Sequence, residues 1–396
     1  MAILSYQERI LKDVVLKGII QTELENSVLQ ARLKRTSRDI KGNYVESITQ
    51  IQREQGIETG ARAGTWPTAS GGEFLTAKML LRYMRGKITI DGPDRVCSEG
   101  SSDEAVASIA VLKGNSLMSS WAEDASRQMW GDGSGTLCAV SGGQVGVTTI
   151  VVDSVKYVRL GMIIDIHEST PITDRKITAI DNGETGNPLS ITISGEVVTV
   201  TDTTVITRAN SKDTEIRGFG AMLGTTAYTD TYANIPRADY PDWRAFLMDC
   251  EGAAITFQML NEFFIKLCTE RGSTPSICYC DVNTMLYIQY LWDKFGIKTA
   301  TRKIELGHEV PTFQTPKGQV PIETELFCPD KTLVAVDERF LTLREASKPF
   351  WVPGTHGSWI TDATNDFDIA RLKWYVELLN TNPKTCGKIF NFVAPY

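Results

Sequence analysis

Histidine is scarce in this chain, with three residues in 396. His167, His308 and His356 lie far apart. GHEVP at 307–311 lacks the second histidine of a zincin helix, and Pro311 forbids that helix. GTHGSW at 354–359 offers a serine but no G-x-S-x-G elbow between strand and helix. Paired cysteines are missing too. The eight cysteines, at 97, 138, 250, 268, 278, 280, 328 and 386, include no CxxC pair. Cys278 and Cys280 would need two further ligands to hold zinc. No G-x-G-x-x-G follows a strand, which removes the dinucleotide fingerprint. No catalytic residue, cofactor or metal is therefore expected. Positive charge is in deficit, with 41 Lys and Arg against 48 Asp and Glu and a net charge of -7. General nucleic-acid binding, which needs a clustered basic surface, is not expected. No apolar run approaches the roughly 20 residues of a membrane span. The start, MAILSYQERILKDVV, carries charge too early and too often for a signal peptide. A cytosolic globular chain is the default expectation.

What is present is a chain long enough for two or more compact units, with 42% hydrophobic and 22% charged residues. Residues 5–36 read as a helix, because Ile10, Leu11, Val14, Val15, Ile19, Ile20, Leu24, Val28 and Leu29 recur at helical spacing. Residues 1–41 carry eight Lys and Arg against five Asp and Glu. Either this helix packs on a neighbouring element, or it is an arm that reaches another subunit or faces nucleic acid.

From 43 to 95 the pattern changes. YVESITQIQ alternates, and GARAGTWPTASGG is rich in small residues, with flanks that read as strands. The expectation is a long two-stranded excursion with a flexible tip. Such a hairpin is marginal alone in water and needs a partner. Trp66 and Phe74 are then anchors on another surface; the alternative is an ordinary hairpin with Trp66 folded inward.

SSDE at 101–104 is a capping box that opens a helix over 101–130, with Val106, Ile109, Leu112, Leu117, Met118, Trp121, Ala125 and Met129 as its core stripe. GDGSG at 131–135 invites a phosphate-cradle reading. It sits at the C-terminal end of that helix, where the dipole has the wrong sign for an anion, and no Walker lysine follows. The spacing and closing Glu of a calcium loop are absent as well. The segment is read as a turn, with glycine just past the helix end as a left-handed cap.

Residues 143–208 are short Val/Ile/Thr runs split by Gly, Asn and Asp, which predicts a small barrel or sandwich of five or six strands, inserted in the chain. Helical organisation then resumes. FQMLNEFFIKLCTER (257–271) reads as a helix closed by Gly272, and SICYC as a buried strand. VNTMLYIQYLWDKF reads as a helix capped by Asp281 and closed by Gly296. Residues 303–325 predict a hairpin around TPKG. TLVAVDERFLTLREA and DIARLKWYVELLNTNPKTCGKIFNFV both begin as strands able to enter one sheet.

The order of these parts carries a resemblance. A helical arm is followed by the Gly-rich loop with TASGGEFLTAK, the lead-in RGKITIDGPDRV, a long capped helix and GDGSGTL. Later come SICYCDVNTMLYIQYLW, TPKGQVPIETE, and the strands LVAVDERFLTLREA and WYVELLNTNPK. Over 37–142 and 209–396 this resembles a tailed-bacteriophage major capsid protein of the Hong Kong 97 type. The resemblance implies an α+β, Hong Kong 97-like capsid fold with an inserted small all-β domain. It implies an N-terminal arm at 1–36 and an extended loop at 37–95. It implies a peripheral domain at 96–142, 209–244 and 329–396 with a spine helix at 101–130. The insertion is then 143–208 and the axial domain 245–328. It further implies self-assembly into hexamers and pentamers of an icosahedral shell around double-stranded DNA that is contacted weakly. The subunit contacts expected are Arg62, Trp66, Pro67, Phe74, Arg82 and Arg85. The partners implied are further copies of this chain, a portal protein, a separate scaffolding protein (only about 40 residues precede the loop) and a decoration protein. Residues 57–75 contain no lysine, so no covalent crosslinking is expected from the loop. Three other readings stay open: an encapsulin-like compartment shell, an enzyme with an unrecognised site, and a tail or decoration protein.

Overall fold

The apolar stripe between 101 and 130 forms a helix, Asp103–Trp130. The computed structural model describes residues 28–60, 62, 64–69, 71–91, 103–184, 186–295, 301–303, 309–354, 359–361, 364 and 366–394. Residues 1–27, Ser101 of the capping box, Gly296, His308 and His356 lie outside the described residues. The described chain divides into two units, one running to Ser126 and resuming at Met222, the other spanning Arg127–Ala221.

In the first unit, Met118, Trp121, Ala122 and Ala125 are buried, at the i, i+3, i+4, i+7 spacing of one helix face. They pack on a five-stranded sheet, where Trp121 meets Trp374 with ring centroids 5.3 Å apart. Gly86 lets helix and sheet approach closely, because a side chain there would come within 3.2 Å of Leu117. The centre of the sheet is the strand Phe367–Asn380. One edge of it pairs antiparallel with Arg82–Asp91, the other with Leu341–Trp351 and Trp359–Thr361. Lys34–Thr36 adds in parallel to Thr342–Arg344. The helix expected to run through residue 36 therefore ends at Arg32. Backbone pairing with an open sheet edge outweighs the helical preference of the last residues.

The largest sheet of this unit has seven strands, in the order Phe246–Asp249, Gly387–Phe390, Thr332–Val336, Ile277–Cys280, Gly318–Thr324, Glu309–Thr315 and Thr301–Lys303. Two helices cover it. Thr256 caps Phe257–Thr269 by accepting from the Met259 amide at 3.2 Å. Asp281 caps Val282–Lys294 through the amides of Asn283 and Thr284. Leu260, Phe263, Phe264, Leu267, Ile288, Leu291 and Trp292 pack with Cys278, Cys280, Ile322, Leu333, Ala335 and Ile389 in one core. Each large side chain fully buried there contributes about 1.5–3 kcal/mol. Two expectations need correction. TLVAVDERFLTLREA breaks near Asp337, and its halves enter different sheets. The seven-stranded sheet also takes Thr332–Val336 and Gly387–Phe390 from outside 245–328, because strand pairing follows space and not chain order.

The second unit is a six-stranded antiparallel sheet ordered Thr136–Ala139, Val205–Arg208, Ile163–His167, Ile172–Asp181, Ser190–Ile193 and Thr149–Val151. The bridge between Val140 and Val152 joins its two ends and closes it into a small barrel. The β-rich module is thus wider than 143–208. Thr136–Ala139 is one of its strands, and Leu137, Cys138, Ile150, Ile164, Ile166, Ile191 and Ile206 share its core. GDGSG is the turn that leads into it. Asp132 Oδ1 accepts from the Ser134 amide and hydroxyl at 2.9 and 2.6 Å. The left-handed residues are Gly133 and Gly135, with φ of 92° and 81°, and not the residue directly after the helix. A Cβ on Gly135 would collide with the Ser211 carbonyl.

Candidate assembly surface

Alternation in YVESITQ and FLTAKML puts every second residue on one face of a hairpin. Tyr44–Gln50 and Phe74–Leu80 pair antiparallel, from Tyr44 opposite Leu80 to Gln50 opposite Phe74. Val45, Ala77 and Met79 point inward and are buried. The opposite face carries Tyr44, Ile48, Phe74 and Leu80, all exposed, with Ile48 at 75% and Phe74 at 59%. Ile48 lies opposite Thr76, so Ile48 and Phe74 are diagonal neighbours on this face. Glu46 sits between the apolar ends, 3.0 Å from Lys78 and 3.2 Å from Lys41. Hydrogen bonds from Lys78 first, then Lys41, hold its carboxyl below the usual carboxylate range. The Lys78 ammonium also lies 4.1 Å from the centroid of the Tyr44 ring.

The hairpin is rooted in its own unit. The Lys78 amide donates to the Ala233 carbonyl at 2.8 Å, and the Tyr240 hydroxyl to Glu73 Oε1 at 3.0 Å. Past Ile51 the strands give way to a loop closed by Ile51 N donating to Glu73 O at 2.9 Å and Gly72 N donating to Glu54 Oε1 at 2.6 Å. Trp66 stands 95% exposed in that loop and Ile57 85% exposed. Trp66 does not fold inward. Arg62 is exposed and Pro67 half-buried. Several large apolar side chains thus stand in solvent on one excursion.

The sequence reading named Trp66 and Phe74, which stand exposed, and did not name Ile48 and Ile57, which are exposed as well. The alternation around Ile48 shows which residues share a face, not which face is covered. Arg82 and Arg85 do not belong to the hairpin. Both lie on Arg82–Asp91 in the five-stranded sheet. Arg82 is turned toward buried Glu377, with an N–O distance of 3.6 Å and 12% of its side chain exposed, so it serves the chain's own packing. Arg85 is exposed.

No family model matches the chain in sequence, and no curated relative does. Its structure is similar to that in the cyanophage A-1(L) capsid asymmetric unit, with 12% identity and a TM-score of 0.54 over 91% of this chain and 90% of that one. The fold is that of a tailed-phage capsid protein. It is α+β, of the Hong Kong 97 type, as the order of elements implied. Also similar are the holo-SrpI encapsulin complex of Synechococcus elongatus, with 8% identity and a TM-score of 0.49 over 93% of this chain and 88% of that one, and the capsid of a native GTA particle, with 8% identity and a TM-score of 0.48 over 92% and 90%.

Among the described residues, one histidine and seven cysteines lie in the fold. His167 Nε2 is 2.8 Å from the Thr207 hydroxyl, and burial lowers the imidazole pKa. The seven described cysteines are buried. Burial pushes the Cys138 thiol up to about 12 and those of Cys250 and Cys386 up to about 11. Among the described residues no group of three or more His, Cys, Asp or Glu could hold a metal ion, and no helix is long and apolar enough to cross a membrane.

Proposed function

We propose that this chain is the major capsid protein of a tailed phage, which self-assembles into hexamers and pentamers of an icosahedral shell enclosing double-stranded DNA. The observation that carries the reading is a capsid fold shared over nine-tenths of both chains with a cyanophage capsid protein. The hairpin surface supports it, because its apolar face and exposed tip are left for a neighbour to bury. In this reading residues 37–95 are the extended loop, laid on the adjacent subunit. Ile48, Trp66 and Phe74 are its anchors. The helix Asp103–Trp130 is the spine of the peripheral domain, the seven-stranded sheet with its two helices forms the axial domain, and the barrel is an insertion. The role is structural and not enzymatic. The protein resides in the virion shell after assembly in the host cytoplasm, with a separate scaffolding protein, a portal and a decoration protein as partners. Lys78, the first lysine after the loop, is committed to Glu46 and Tyr44, which fits a shell held without loop crosslinks.

The test is negative-stain electron microscopy of the purified chain, alone and with its candidate scaffold, alongside light scattering. Closed shells, or rings of five or six subunits, are expected. A monodisperse monomer or dimer under every assembly condition would overturn the reading. Shells that enclose an enzyme and no DNA would redirect it to a compartment protein.

A further inference from the structure

We propose that the open face of the five-stranded sheet is a polyanion-binding surface that takes the phosphate backbone of nucleic acid. The inference deepens the shell reading, on which it rests for the source of that nucleic acid. One face of this sheet is filled by the helix Asp103–Trp130, through Leu117 on Gly86 and Trp121 on Trp374. The opposite face holds Tyr83, Arg85 and Lys87 on one strand and Tyr375, Lys373 and Arg371 on the next. Arg85 lies directly opposite Lys373, and Lys87 directly opposite Arg371. Residues two apart on a strand are about 7 Å apart, and opposed pairs about 5 Å. The four basic residues therefore occupy a compact rectangle of strand positions.

Two observations set this face apart from an ordinary solvated one. Like charges directly opposite across a ladder are destabilising, and here two such pairs follow one another. None of the four makes an ion pair with a described residue; Lys87 has only the Phe367 ring, 6.0 Å away. The repulsion is left for an outside anion to relieve. Beside the rectangle, Tyr83 and Tyr375 meet edge to face with centroids 5.2 Å apart, and Tyr83 is 40% exposed. A basic patch with aromatic rings at its side suits phosphates with sugars or bases against the rings. A chain of net charge -7 repels a polyanion elsewhere, so contact is confined to this face and stays weak. The linear sequence hides the patch because 82–91 and 367–376 are far apart in the chain.

The experiment measures binding of a short fluorescent DNA duplex to the full chain over a series of salt concentrations. Neutralising four phosphates gives a log–log slope of about -3.6. Arg85→Gln with Lys87→Gln, and separately Arg371→Gln with Lys373→Gln, should each reduce the slope by about two units and weaken low-salt binding by on the order of tenfold or more. Both variants should melt no lower than the parent, since each removes repulsion. Unchanged affinity and slope in both variants would overturn the proposal. So would loss of salt-sensitive self-association with DNA binding intact, which would give the face to a second copy of this chain. The duplex measurement does not depend on shell formation, so its failure and the failure of the shell reading are read separately.

Discussion

Replacing Trp66 and Phe74 with alanine separates assembly from folding. Trp66 is 95% exposed and touches little of its own chain, so its loss should move subunit stability by no more than about 0.5 kcal/mol. The same ring buried on a neighbour removes about 150–250 Å² from water, an upper bound of roughly 4–6 kcal/mol at ~25 cal/mol per Å². Truncation at an interface centre typically costs about 2 kcal/mol or more. Phe74, 59% exposed, is already partly covered and adds a smaller share. Taking about 2 kcal/mol for each contact formed, the threshold concentration for assembly should rise roughly 30-fold for Trp66→Ala. Two measurements are needed: thermal melting of the dispersed subunit, and light scattering against concentration. Deletion of residues 58–71, which spares Gly72 and Glu73, should act in the same direction. A melting temperature that falls in step with assembly would refute the reasoning, because the loop would then be part of the subunit's own core.

Other outcomes follow from the interior. Glu215→Ala removes the carboxylate 2.5 Å from the almost fully buried Arg127 guanidinium; a loss of up to about 3–5 kcal/mol is expected by denaturant unfolding. Gly135→Ala forces a side chain into left-handed backbone and against the Ser211 carbonyl, and should cost about 1–3 kcal/mol or more by the same measurement. Ellman's reagent at neutral pH should modify none of the seven described cysteines in the native chain and all of them in denaturant, because burial favours the neutral thiol. The folded-state pKa of Glu46 is depressed, so its contribution to the hairpin is present above the unfolded carboxylate value and lost as pH falls through the folded one. Amide exchange in Tyr44–Gln50 should accelerate in that acid window, and a rate independent of pH after correction for intrinsic exchange would count against the ion cluster.

Much of the organisation was legible from local patterns. Helical periodicity located Asp103–Trp130, Phe257–Thr269 and Val282–Lys294, and Asp281 could be named as a cap. Alternation and turn residues located the hairpins and the barrel strands. Dipole sign, with no Walker lysine and no calcium-loop spacing, gave GDGSG as a turn, although the left-handed positions within it were misplaced. Errors arose where pairing partners are distant. Lys34–Thr36 looks helical until it meets Thr342–Arg344, and Thr136–Ala139 falls outside the expected insertion although it pairs with Val205–Thr207.

The proposed assembly surface divides the same way. Trp66 and Phe74 were readable because a Gly-rich stretch has no core of its own to hide an aromatic ring. Ile48 was not, since an alternating strand has two equivalent faces until one is covered. Arg82 and Arg85 look alike in sequence and differ only by what lies beside them, buried Glu377 for one and a second row of cations for the other. Sequence alone determined most of the helices, strands and loops, because those depend on neighbours a few residues away. Only the tertiary structure decided which faces reach solvent and which charges stand together, because both are set by residues hundreds of positions apart.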